Sequence, residues 1–341
     1  MITSVSIERL RGIKQGELTD LTPLTVLLGP NGCGKSTVLD AMYIGAVDQP
    51  WQALRAAATR HQGMRYPLPW VFWKQGYGGN AQVRLERDAY QRAVVLSPPP
   101  FPYPRGRYRV DGEFRFNVYS GGFGGILGHV EYDDSAGPIV ADGEAFTSDL
   151  SGLSMEPVRL VDPAIEDGQA PLYDLFMVAR QTGRRAAVND LVAAVTTPDA
   201  ALEIGTEGDQ PILHIATDDG TVPVALSGEG IRALTRTALE LAAAEGGTLL
   251  LEEPEVHQHP ATMALCAKAI VAGVARGVQV VVSTHSLELV DYLIEACGAE
   301  HLDKLSVYNL ALRDGVLSYS RRTGDEAKFA REGMEIGRAH V

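Results

Sequence analysis

Nine consecutive residues, Gly29-Pro30-Asn31-Gly32-Cys33-Gly34-Lys35-Ser36-Thr37, have the types and order needed to hold a chain of phosphates. Glycines let the backbone curl until successive N–H groups converge on phosphate oxygens. A helix starting at the lysine adds its positive dipole end. Lys35 would reach the β and γ phosphates and the Ser36 hydroxyl would ligate Mg²⁺. Asn31, Gly32, Cys33, Gly34 and Thr37 complete the cradle, Cys33 as a passive small residue. The pattern G-x-x-x-x-G-K-[ST] is informative only between a buried strand and a helix. Both flanks are present: Leu24–Leu28 (LTVLL) is a continuous apolar run, and STVLDAMYIGAV repeats apolar residues at helical spacing.

Hydrolysis of a nucleotide held this way needs a carboxylate at the end of a neighbouring strand for the metal shell and a base for the attacking water. The run Thr248-Leu-Leu-Leu-Glu252-Glu253-Pro-Glu255 supplies both. Glu252 is expected to hold Mg²⁺ through its waters, and Glu253 to orient and deprotonate the attacking water. Adjacent carboxylates repel unless a cation lies beside them, which favours a metal site. Two further segments belong with them. Leu226-Ser227-Gly228-Glu229-Gly230 opens a helix upstream of the acids, and Val280-Val-Val-Ser-Thr-His285-Ser286 places a histidine after the next strand.

Together these residues resemble the ATP-binding-cassette (ABC) class of P-loop ATPases, and within it the RecF, SMC and OLD (overcoming-lysogenization-defect) branch. The branch typically carries an "RG" turn, here Arg11-Gly12, before GPNGxGKS. Its core typically closes with EPExxLHP, here Glu253-Pro-Glu-Val-His-Gln-His259-Pro260, followed by a THS tripeptide. The resemblance implies ATP and Mg²⁺ as cofactors and a homo-oligomer, an ATP-sandwich dimer or higher. Ser227 and Gly228 of one subunit would contact the γ-phosphate held by Lys35 of the other, and His285 would be the switch histidine. There are two departures: Glu252 stands where the metal-holding acid is usually Asp, and Glu229 stands at a position that is usually small. The glutamine loop of the class has four candidates, Gln52, Gln62, Gln75 and Gln169. His257 and His259 read as part of a loop contacting the partner subunit, not as a zinc site.

The elements that must position these groups alternate strand and helix, the mark of a parallel sheet with crossover helices. Helices are expected at Gly230–Ala244, Ala261–Ala275 and Leu287–Cys297, and strands at Thr248–Leu251 and Val278–Ser283. The fold class is α/β: an ABC-type ATPase head with a mixed central sheet flanked by helices and an inserted antiparallel β-rich region. One domain is expected over residues 1–334. Its nucleotide-binding core spans 1–47 and 222–320, and a β-rich and loop region is inserted at 48–157. A helical and hairpin segment follows at 158–221. The last residues, 335–341, read as a non-native tail.

Composition sets the remaining bounds. With 45% hydrophobic residues the chain can build a core. It lacks the apolar run of roughly 18 residues that spans a bilayer, and its start lacks a secretory signal. Its three cysteines fit a reducing cytosol. No membrane partner and a cytoplasmic location are therefore expected. No SMC coiled coil is expected, since there is no heptad run, nor a toprim nuclease domain of the OLD kind in the residues given after Cys297. With 335–341 as a non-native tail, a longer native protein carrying an effector domain stays open. The net charge of −13 is uneven: residues 51–116 carry 11 Lys+Arg against four acids, and 12 of the 23 aromatics. That segment is either a surface for DNA or an acidic partner, or an aromatic core with a solvated basic face. Three functions stay open. One is an ATPase controlling an effector protein in phage defence or a toxin system. The second is a RecF-like repair ATPase on duplex DNA, and the third a nucleotide-dependent binding module with negligible turnover.

Overall fold

A computed structural model describes residues 1–47, 50–59, 68–88, 90–98, 108–118, 121–133, 137–142, 156–162 and 170–333. The chain forms two compact units. The first comprises residues 1–21, 29–158 and 309–320, the second 22–28, 159–308 and 321–341.

In the first unit, β1 (Ile2–Leu10) and β2 (Ile13–Leu18) form an antiparallel pair joined by Arg11-Gly12. Beyond β1 the sheet continues through β4 (Ala81–Arg87), β5 (Tyr90–Leu96), β6 (Tyr108–Val118), β7 (Gly121–Asp133) and β8 (Gly137–Asp142), all antiparallel. This is the expected β-rich region. It also contains a helix that the sequence reading did not anticipate, α2 (Pro50–Thr59), whose proline occupies the first turn, where its missing N–H costs nothing. The helix α1 (Lys35–Ala46) is buried over most of its length. At Gly45 a Cβ would come within 2.7 Å of Leu85, so only glycine lets this helix approach β4 so closely.

In the second unit, β3 (Leu24–Leu28) pairs in parallel with β14 (Gln279–Thr284), and β14 with β13 (Thr248–Glu252). All six residues of β14 are buried, as expected for a central strand covered on both faces. β9 (Val158–Val161) and β15 (Leu305–Arg313) flank the three. The helices α5 (Glu229–Ala243), α6 (Pro260–Ala275) and α7 (Leu287–Cys297) are the expected crossovers, with ends shifted by a residue or less. Leu24, Val26, Leu249, Ile270, Val280, Val282 and Leu293 are fully buried in one core. A second core joins α3 (Leu172–Gln181) and α4 (Arg185–Ala193) to a small sheet. The expected hairpin there is three-stranded, β10 (Ala201–Glu207), β11 (Gln210–Thr217) and β12 (Gly220–Pro223). β16 (Val316–Thr323) leads into α8 (Gly324–Glu332), which starts with a reciprocal cap between Thr323 and Glu326. Residues 335–341 lie outside the described residues.

Candidate functional site

In the first unit the phosphate loop runs from Gly29 into α1. Gly34 caps the helix at φ 101°, a left-handed conformation that glycine adopts without a Cβ penalty. At Gly29 a Cβ would lie 2.7 Å from Cys33 Sγ and 2.9 Å from the Leu310 carbonyl, so the loop closes on itself only without a side chain there. Cys33 is buried, consistent with a passive filler. Lys35 is 5% exposed, and its Nζ donates to the carbonyls of Gly29 at 2.9 Å and Pro30 at 3.3 Å. Its ammonium thus lies against the loop that would hold the phosphates. Asn31 and Gly32 are exposed, Ser36 is half-buried and Thr37 buried. The Arg11-Gly12 turn has a role that the sequence did not reveal. Arg11 takes φ 48°, and its guanidinium donates to the buried carboxylate of Asp40 on α1.

In the second unit the carboxylates stand where β13 ends. Glu252 is its last residue and pairs with Ser283 of β14. Glu253 is left-handed, φ 40°, and its N–H donates to the Ser283 carbonyl at 2.9 Å and to Ser283 Oγ at 3.3 Å. This turn brings Glu253 Oε1 within 3.3 Å of His285 Nδ1, so the structure brings together two of the expected site residues. His285 is half exposed. Glu255, given no role from sequence, is buried beneath them, and burial pushes its carboxyl above the usual carboxylate range. The nearby Cys266 thiol is pushed up to about 12 by its own burial, with the Glu255 charge adding to the shift.

The signature residues open α5. Gly228 is its exposed N-cap, and Ser227 Oγ donates to the Val224 carbonyl at 2.6 Å. Leu226 beside them is 77% exposed. Glu229 carries its charge in the helix's first turn, where the dipole favours it, and lies 3.2 Å from His257 Nδ1. His259 caps α6, accepting from the Ala261 N–H at 3.2 Å, so one member of the HxH pair serves the fold. Among the described residues no group of three His, Cys, Asp or Glu is arranged to hold a metal. The Ser36 hydroxyl and the Glu252 carboxylate are oxygen donors of the kind that Mg²⁺ takes. Of the glutamine-loop candidates, Gln62 and Gln169 lie outside the described residues. Gln52 lies in α2, and Gln75 is in a tight turn at φ 56°. Much of the basic segment also lies outside them. Within the described part Arg87 and Arg92 are buried, as is Phe72, while Trp70 and Tyr77 are exposed.

Residues 150–291 match a family described as "AAA domain, putative AbiEii toxin, Type IV TA system". An uncharacterized protein of Methanocaldococcus jannaschii is 30% identical over 109 residues, 32% of this chain and 86% of its own. The DNA replication and repair protein RecF of Xanthomonas axonopodis is 34% identical over 86 residues, 25% of this chain and 23% of RecF. Among solved structures, an SMC head bound to the C-winged helix domain of ScpA aligns with 96% of this chain and 99% of its own. The TM-score is 0.54 at 14% identity. An SMC head from Pyrococcus furiosus, bound to the C-terminal domain of ScpA, aligns with 98% of this chain and 99% of its own, at TM-score 0.52 and 13% identity. These structures share the fold, a mixed sheet flanked by helices. The chain belongs to the ABC-class P-loop ATPases of the RecF and SMC type.

Proposed function

We propose that this protein binds and hydrolyses ATP, dimerising around the nucleotide to control a partner protein in phage defence or a toxin system. The observation that carries the reading is the pairing of Glu253 with His285 on a turn that holds the glutamate in a left-handed conformation. In this reading residues 1–334 act as one ATPase domain of OLD-like type in the cytoplasm. Lys35 and the loop amides hold the β and γ phosphates. Ser36, through its hydroxyl, and Glu252, through bound waters, would hold Mg²⁺, which when bound would supply positive charge beside the phosphates. Glu253 orients and deprotonates the attacking water, and His285 hydrogen-bonds it. Ser227 and Gly228 offer the exposed start of α5 to the γ-phosphate held by a second copy. The exposed Leu226 gives that contact an apolar component. The family's toxin-system description supports the biological setting.

The decisive test is trapping: Glu253→Gln with ATP should give a dimer by light scattering, and Ser227→Arg should abolish it. A Glu253→Gln protein that stays monomeric at saturating ATP sinks the sandwich. The RecF similarity and the +7 charge of residues 51–116 favour a second reading, a repair ATPase that clamps duplex DNA. It predicts DNA-stimulated hydrolysis and a steep loss of binding with salt. The longer acid at 252 favours a third, nucleotide binding with negligible turnover, which phosphate release measures directly.

A further inference from the structure

Three acids follow β13, and the proposed hydrolysis uses two of them. The third, Glu255, is the one the fold buries, at 8% exposure. Its Oε1 gathers the segment that leaves β14. Thr284 Oγ1 donates to it, the His285 N–H donates to it at 3.3 Å, and His285 Nδ1 lies 3.5 Å away. Thr284 Oγ1 in turn accepts from the Ser286 N–H at 2.9 Å, and Ser286 Oγ caps α7 by accepting from the Leu289 N–H at 3.2 Å. One carboxyl therefore ties the backbone on both sides of His285 to the turn that carries Glu253.

A neutral imidazole has one N–H. Two carboxyl oxygens, Glu253 Oε1 at 3.3 Å and Glu255 Oε1 at 3.5 Å, face its Nδ1. A proton on Nε2 would leave the Nδ1 lone pair opposed to both oxygens, a repulsion that matters more where water is partly excluded. The two acids are not equivalent. Glu253 is partly exposed and, as a base, must turn toward water. Glu255 is held by a hydroxyl and a backbone amide and cannot turn.

We propose that Glu255 is a positioning residue that fixes His285 as the Nδ1–H tautomer, leaving the Nε2 lone pair outward to accept a hydrogen bond from the attacking water. This rests on the reading of His285 as the switch histidine. The test is the side-chain ¹⁵N spectrum of histidine-labelled protein without nucleotide at pH ~8, above the usual histidine pKa of about 6.5. His285 is assigned by comparison with His285→Asn. The Nδ1–H pattern is expected in the wild type and in Glu253→Ala. It should persist in Glu255→Gln, whose Oε1 accepts the same bonds, and relax toward a mixture in Glu255→Leu. Where turnover is measurable, Glu255→Leu should lose at least tenfold in kcat with ATP affinity changed less than twofold, and Glu255→Gln should restore most of it. An unchanged His285 pattern in Glu255→Leu overturns the proposal, as does its loss in Glu253→Ala. If Glu255→Leu does not fold, the Glu253→Ala spectrum still decides. The spectra need no ATP, so absent turnover would sink the ATPase reading without touching the tautomer assignment.

Discussion

The backbone at Glu253 makes a measurable demand. A residue with a Cβ at φ 40° costs about 1–2 kcal/mol relative to the right-handed regions. Glycine escapes that penalty but loses about 0.5–1 kcal/mol more conformational entropy on folding than alanine. Glu253→Gly and Glu253→Ala both delete the carboxylate and its approach to His285, so comparing the two isolates the backbone term. The glycine variant should be the more stable by about 0.75 kcal/mol at the midpoints of the two terms, roughly three- to fourfold in the unfolding constant. Urea unfolding without nucleotide, followed by circular dichroism, reads the difference as a shift in midpoint at constant slope. Both variants should lose hydrolysis. An alanine variant as stable as the glycine variant, or more so, would mean that Glu253 is not left-handed, and the proposed aim of its carboxylate would fail with it. A strained residue is retained where function requires the geometry, so the glycine variant should trade activity for stability.

Other outcomes follow from packing and ionisation. Gly45→Ala should destabilise the protein by about 1–3 kcal/mol, because the added methyl meets Leu85 and Val83 at 3.0 Å or less. A gain of about 1 kcal/mol, as helix propensity alone predicts, would contradict that contact. Burial raises the Glu255 carboxyl, so the folded protein holds that proton more tightly than the unfolded chain does. Its contribution is complete below the unfolded value of about 4.3 and is lost as pH rises toward the folded value. The stability of wild type minus Glu255→Gln, from urea titrations, should therefore fall as pH rises above about 4.3; a constant or rising difference excludes the shift. Lys35→Ala should abolish the thermal stabilisation conferred by ATP, which for a bound ligand at a hundred times Kd is about 2.7 kcal/mol. Retained stabilisation would move the phosphate site elsewhere.

The phosphate loop was legible because its requirements are local. Glycine conformation, a helix start and a lysine all fall within nine residues, and the buried strand before them is an uninterrupted apolar run. The crossovers were legible because fully buried strands such as β14 carry no polar residue until their ends. What escaped depends on contacts between distant segments. Nothing in Glu253-Pro-Glu255 marks the third residue as buried, since that follows from Thr284 and His285 arriving from another strand. Arg11 and Asp40 are a pair only once α1 packs beside the first hairpin, and β12 is too short and too polar to register by alternation. The left-handed Glu253 carries no local signal, because glutamate is not among the residue types enriched at positive φ. For the basic segment, Arg87 and Arg92 are drawn inward while Trp70 and Tyr77 stay exposed, a division that composition cannot assign.

Hydrolysis itself is measured most directly by phosphate release from purified wild type, Lys35→Ala and Glu253→Gln under saturating ATP and Mg²⁺. Wild type should turn over. Lys35→Ala should neither bind nor hydrolyse, and Glu253→Gln should bind ATP yet release phosphate at least a hundredfold more slowly. Equal release from all three proteins, or wild-type turnover by Glu253→Gln, would contradict the assignment of Glu253 as the base.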